Sequence, residues 1–166
     1  MTLLGIMVKF TNSMVTFSEF PDEITLCIDI SGCPNHCKGC HSPWLWEDQG
    51  QDLTIETLEQ LIKANSGVSC VGFLGGDQDP AYIDSLAKSI REKHINLKTG
   101  WYSGRGKLAP EINLTNWDYI KLGPYIESEG GLDNKNTNQR MYVYGPMFSE
   151  VTIGPSWRDI TYRFWK

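Results

Sequence analysis

Cys33-Pro34-Asn35-His36-Cys37-Lys38-Gly39-Cys40 places three of the chain's five cysteines within eight residues, in the spacing C-x3-C-x2-C. It follows the apolar run Ile24-Thr25-Leu26-Cys27-Ile28-Asp29-Ile30, which predicts a buried strand. Thiolates crowded on one loop repel each other, and a metal centre that bonds each sulfur removes that cost. Three thiolates on a [4Fe–4S] cube leave one iron open to another ligand. A disulfide would use two of these cysteines and strand the third, and nothing in the chain points to an oxidising compartment. A structural zinc ion needs four closed ligands. His36 and His41 each adjoin a cysteine of the set, and adjacent side chains point apart. A Cys3His zinc site is therefore the awkward alternative to the cluster.

The chain has 166 residues, 40% hydrophobic and 21% charged, as expected of one globular domain spanning residues 1–166. A complete (β/α)8 barrel needs about 200–250 residues, so any barrel here is incomplete. The net charge of −5 argues against nucleic acid as a partner. No apolar run approaches the ~20 residues of a membrane span, so no membrane partner is expected. Leu3-Leu4-Gly5-Ile6-Met7-Val8 is cut by Lys9 and has neither a basic leader nor a cleavage-like site. A cytoplasmic location is the expectation.

Residues 3–10 and 14–20 read as two short strands around Thr11-Asn12-Ser13, a hairpin at the sheet edge. In the strand at 24–30, Ile24, Leu26, Ile28 and Ile30 share one face and Thr25, Cys27 and Asp29 the other. Cys27 and Cys70 read as small core residues. Pro43-Trp44-Leu45-Trp46 reads as a packed aromatic loop. Thr54 caps a helix carrying Ile55, Leu58, Leu61 and Ile62, which ends near Asn65-Ser66-Gly67. Val68–Leu74 is a strand running into Gly75-Gly76-Asp77. Asp79-Pro80 opens a helix with Ile83, Leu86, Ala87 and Ile90 inward. Strands follow at 96–102 and 119–122, with a short connection at 107–117 between them. A polar loop spans 127–140, and strand or extended pieces are expected at 141–144 and 161–165. Alternating strands and helices imply parallel βα units, whose ligands bind at the strands' carboxyl ends. The cysteine loop, Gly75–Asp77, Ser103-Gly104 and Gly123-Pro124 all fall at such ends.

The cysteine spacing resembles the cluster loop of the radical S-adenosylmethionine (SAM) superfamily. That resemblance implies an α/β fold, an incomplete (β/α) barrel of the radical SAM type with parallel strands and helices outside. It also implies a [4Fe–4S] cluster held by Cys33, Cys37 and Cys40, with SAM on the open iron. Gly39 stands where many members have an aromatic residue, so adenine contact falls to backbone at Gly39, Cys40 and His41, or to the His41 ring. Gly75-Gly76-Asp77 is similar to the superfamily's Gly-Gly-Glu motif, which holds the amino group of SAM, with Asp in place of Glu. As a bare sequence it is also an ordinary tight turn. By the same resemblance Ser103 contacts the ribose or carboxylate of SAM, and Lys121 neutralises that carboxylate. No catalytic residue is expected beyond the cluster ligands.

More of the chain resembles the activating proteins of anaerobic ribonucleoside-triphosphate reductases. The resemblance rests on Ile30-Ser31-Gly32-Cys33-Pro34, Cys40-His41-Ser42-Pro43, the Gly-Gly-Asp form, Trp101-Tyr102-Ser103-Gly104 and Thr137-Asn138-Gln139-Arg140-Met141-Tyr142. It implies an oxidoreductase that forms a glycyl radical on the large reductase subunit, with a flavodoxin or ferredoxin as electron donor. A short open rim suits a macromolecular substrate. Two alternatives stand beside it: a small-molecule radical SAM enzyme like the carboxydeazaguanine synthases, and a non-catalytic zinc- or cluster-binding module. Asn138, Gln139 and Arg140 order the C-terminal loop, touch the partner, or are simply a polar turn before the strand at 141–144. The aromatic residues Trp157 and Tyr162–Trp165 form either a docking patch or core.

Overall fold

The computed structural model describes residues 7–145, 153 and 156–166. Eight strands form one mixed sheet: β1 Lys9–Thr16, β2 Thr25–Ile30, β3 Gln51–Asp52, β4 Cys70–Leu74, β5 Lys98–Tyr102, β6 Tyr119–Leu122, β7 Arg140–Tyr144 and β8 Trp157–Asp159. Their order is β3-β1-β2-β4-β5-β6-β7-β8. The four central strands β2, β4, β5 and β6 are parallel. The flanking strands pair antiparallel.

Both helices start where the sequence has its caps. Thr54 accepts from the Thr57 N–H at 3.0 Å and opens α1, Ile55–Ala64. Asp79 accepts from the Tyr82 N–H at 3.1 Å and opens α2, Pro80–Lys93, with Pro80 in the first turn. Leu58 and Ile62 of α1, with Ile83, Leu86, Ala87 and Ile90 of α2, pack on Leu26, Ile28, Ile30, Val71, Phe73, Trp101, Ile120 and Leu122 of the parallel strands. Each of the larger aliphatic and Phe side chains contributes about 1.5–3 kcal/mol by its burial. Asp84 of α2 accepts from the Asn113 N–H, the Asn116 amide and the Trp117 indole, so it ties the 107–117 connection to this layer.

The two-residue strand period sends the alternate positions to the opposite face. There Phe20 packs with Cys70, Tyr119, Met141 and Ile160. Gly72 and Gly100 are paired across β4 and β5 beneath Phe20. A Cβ on Gly72 would lie 2.6 Å from the Phe20 ring, and one on Gly100 2.5 Å from it. Tyr102 meets the same ring edge-on at 5.3 Å and Tyr119 tilts against it at 5.4 Å. A phenylalanine from a loop thus fills a place where the sheet has no side chains.

Two expectations need correction, and one strand was not foreseen. No hairpin turn forms at Thr11-Asn12-Ser13, which lies inside β1. That segment has no glycine to take a hairpin turn's positive φ, and the chain absorbs the irregularity as a register shift between Phe10 and Asn12. It reverses later, through residues 17–24, where Asp22 has φ 69°. Of the strand expected at 3–10, residues 3–6 lie outside the described residues. The extended piece expected at 161–165 is one 3-10 turn, Thr161–Phe164, and the strand lies earlier, at Trp157–Asp159. The two-residue β3 was not anticipated. It follows a chain reversal and pairs only with Lys9 and Phe10.

Replacing Gly100 by alanine should destabilise the protein by about 1–3 kcal/mol through overpacking against Phe20. Gly67→Ala should not do so, because a Cβ there meets nothing within 4 Å. Urea denaturation of the two variants measures the difference.

Candidate metal centre

Because β2, β4, β5 and β6 are parallel, the loops that follow them gather at one end of the sheet. The loop after β2 is closed into a hoop. Cys33 N–H donates to the Leu45 carbonyl at 2.9 Å and Gly32 N–H to that of Glu47 at 3.1 Å. The Ser31 hydroxyl donates to the Gln49 carbonyl. Within the hoop, Cys40 N–H donates to the Cys37 carbonyl at 3.1 Å. His36 stacks on Trp46, with centroids 4.8 Å apart and planes 10° from parallel. Pro43–Trp46 forms one 3-10 turn rather than a plain loop, and Trp44 is exposed.

Cys33, Cys37 and Cys40 line a cavity of about 250 Å3. Its other walls include Gly75 and Asp77 after β4, Tyr102, Ser103 and Gly104 at the end of β5, and Lys121, Gly123 and Tyr125 from β6 and its loop. Two N–H groups point at the sulfurs: Asn35 Nδ2 lies 3.6 Å from Cys33 Sγ, and Ser42 N lies 3.4 Å from Cys40 Sγ. A larger groove of about 520 Å3 lies by Glu59, Lys63 and His94, at the C-terminal ends of α1 and α2, and contains none of these thiols.

Asp77 is 2% exposed. Its Oδ2 accepts from Asn35 Nδ2 and from Gly104 N–H, each at 2.7 Å, and its Oδ1 accepts from the Ser103 hydroxyl at 2.6 Å. Arg105 donates to its carbonyl at 3.1 Å. The Asp77 side chain therefore binds the cysteine loop to the β5 loop, and the Ser103 hydroxyl is committed to the same carboxylate. Gly75 faces the cavity with φ 107°, and its carbonyl accepts from the Trp101 indole at 2.8 Å. Gly76 turns toward α2, where a Cβ would lie 2.5 Å from Ile83.

Lys121 is buried, and its ammonium donates to the carbonyls of Gly123 at 2.7 Å and Ser103 at 3.3 Å. Burial pulls its pKa from the usual 10.5 down to about 8, against the pull of Asp77 and the three thiols in the other direction. Cys27 and Cys70 are buried on the face that holds Phe20, and burial pushes both thiols up, Cys27 to about 12. Neither lines the cavity.

Of the residues singled out from sequence, the structure gathers Cys33, Cys37, Cys40, Gly75, Asp77, Ser103 and Lys121 on the cavity wall. Gly39, His41 and Gly76 lie outside it. Gly39 sits beside Tyr125 and Glu127, and the His41 ring leans on Tyr125 at 5.2 Å. Asn35 and Tyr125 carried no sequence signal beyond their places in the loops. Asn138 donates to the Pro124 carbonyl at 3.0 Å and Gln139 to that of Gly123 at 3.5 Å, so this pair orders the loop after β6. Arg140 pairs with Asp159 at 3.7 Å. Trp157 is core, whereas Tyr162 is 59% exposed.

Among the described residues no three His, Cys, Asp or Glu side chains converge as they would around one metal ion. A cubane asks for something else, with each thiolate on a different iron and amide donors near the sulfurs. Three thiols spread along one wall, two of them facing N–H groups, fit that demand. Residues 24–118, more than half of the chain, match the model of a family described as a 4Fe-4S single cluster domain. The match runs from the start of β2 to the start of β6 and takes in the cysteine loop, both helices and Asp77. No curated protein and no solved structure matches the chain. No helix among the described residues is long and apolar enough to cross a membrane.

Two outcomes follow for the cavity wall. Asp77→Asn removes the charge from three hydrogen bonds and makes the Ser103 hydroxyl accept where it now donates, and should cost about 1–3 kcal/mol in urea denaturation. Lys121 titrates at about 8 when folded and near 10.5 when unfolded. Between those values the unfolded chain binds more protons, so stability rises with pH, and below pH 8 the whole cost is present. Lys121→Met should abolish that rise, worth about 3 kcal/mol, when stability is measured from pH 7 to pH 10.5.

Proposed function

The chain belongs to the family of 4Fe-4S single cluster domains, and on that premise we propose that it is a radical SAM activase that forms a glycyl radical on an anaerobic ribonucleoside-triphosphate reductase. The single observation that carries this reading is the cavity wall: it holds three thiols and no fourth, while Cys27 and Cys70 are buried elsewhere. Cys33, Cys37 and Cys40 would hold three irons and leave the fourth for SAM. Such a cluster would supply one electron for reductive cleavage of the carbon–sulfur bond of SAM to methionine and a 5′-deoxyadenosyl radical, which would take a hydrogen atom from a glycine Cα to give deoxyadenosine and the glycyl radical.

The protein's own groups position SAM. The Gly75 backbone lies open to the cavity, with a carbonyl lone pair left beside its bond to Trp101. Among the described residues Lys121 presents the one ammonium on the cavity wall, and it faces the carboxylate of SAM. Asp77 and Ser103 act by fixing the loops. Leu45, Trp46 and Tyr102 line the cavity with apolar surface that keeps water from the radical. In this reading the parallel strands β2, β4, β5 and β6, with both helices on one face, are an incomplete (β/α) barrel. Its short rim is closed by the reductase. A flavodoxin or ferredoxin delivers the electron.

Anaerobically reconstituted protein should bind about four irons per chain, change its electron paramagnetic resonance spectrum on addition of SAM, and place a glycyl radical on a co-expressed reductase. Alanine at Cys33, Cys37 or Cys40 should abolish iron binding, and alanine at Cys70 should not. A colourless protein with one zinc overturns the proposal. Deoxyadenosine formed without any glycyl radical moves it to the small-molecule, carboxydeazaguanine synthase-like reading.

A further inference from the structure

Asn35 stands between two cluster cysteines, yet its side chain is held from outside its own loop. Its Nδ2 donates to Asp77 Oδ2 at 2.7 Å and lies 3.6 Å from Cys33 Sγ. Both partners accept, so the amide must present its NH2 and not its oxygen, and two hydrogens on one nitrogen serve both partners at once. Asp77 is itself fixed from the β5 side by Ser103 and Gly104. A second observation points the same way. A Cβ on Gly104 would lie 2.5 Å from Asn35 Nδ2 and 3.0 Å from its Cγ, so the absence of a side chain at 104 forms the slot in which the amide sits.

We infer that Asn35 is a positioning residue that sets the reduction potential of the cluster through Cys33, with Asp77 and Gly104 aiming it. The inference rests on the cluster assignment made above and not on SAM or the reductase. A donor at a ligand sulfur stabilises the reduced cluster, which carries the extra negative charge, and so raises the potential. Asp77 turns that contact into a link between loops: whatever displaces the loop after β4 or β5 moves the donor at Cys33.

Redox titration of the reconstituted protein without SAM, followed by electron paramagnetic resonance, tests the inference. Asn35→Ala should shift the potential to more negative values with iron content unchanged. Gly104→Ala, in a different loop and with no ligand touched, should shift it in the same direction. Asn35→Ser, which keeps one donor, should fall between Asn35→Ala and the wild type, and Lys38→Arg, exposed in the same loop and keeping its charge, should leave it unchanged. A wild-type potential in Asn35→Ala, or an opposite shift in Gly104→Ala, overturns the inference. So does loss of the cluster in Asn35→Ala, Asn35→Ser and Gly104→Ala alike while the fold is retained, since Asn35 would then hold the cluster rather than tune it. Shifts as stated in a protein that never cleaves SAM leave this inference standing and remove the radical SAM reading alone.

Discussion

One buried carboxylate holds the loops of the candidate metal centre together. Asp77 accepts hydrogen bonds from the cysteine loop and from both residues that begin the β5 loop. Charge-assisted bonds of this kind are about twice as strong as neutral ones, and a buried carboxylate without them would be costly to keep ionised. The loops after β2, β4 and β5 therefore cannot move independently without stranding that charge. A short, open-sided sheet gains a rigid rim by this means, although its loops are mostly polar and rich in glycine.

The two faces of the sheet divide the work. Helices cover one face with aliphatic packing of an ordinary kind. The other face carries the unusual groups: two buried thiols, the lowered ammonium of Lys121, and an aromatic cluster around Phe20. Lys121 lies at the boundary, its carbon chain on that face and its nitrogen at the cavity, held by carbonyls from two loops. The antiparallel strands on either side end the run of parallel units, so among the described residues the rim is built from the loops of four parallel strands.

Much of this was legible in the sequence where local chemistry decides. Thr54 and Asp79 announce both helices, and α2 buries each of the four inward positions read from its spacing. The strand Tyr119–Leu122 and the gathering of loops at one end follow from alternation alone. The three thiols stand out in the sequence by their spacing alone. What escaped depends on distant partners. Nothing near Thr11-Asn12-Ser13 says that β1 continues through it, because the pairing that extends it lies in β2. Asp77 looked like a ligand residue, and its burial among Asn35, Ser103 and Gly104 is a property of three loops meeting. His41 and Gly39 adjoin Cys40 in the chain but sit on the outer side, near Tyr125, since consecutive side chains leave the backbone in different directions.

Beneath Phe20 the sheet offers main chain alone, at Gly72 and Gly100. A void opened there by a smaller side chain would have a floor of peptide planes, locked by ladder bonds, and could be narrowed only from its sides, by the Tyr102 and Tyr119 rings and the Thr25 methyl. Sequence drift at this spot is thus confined to exchanges that keep a flat ring, and the loop carrying it must keep its length to deliver that ring to the same place.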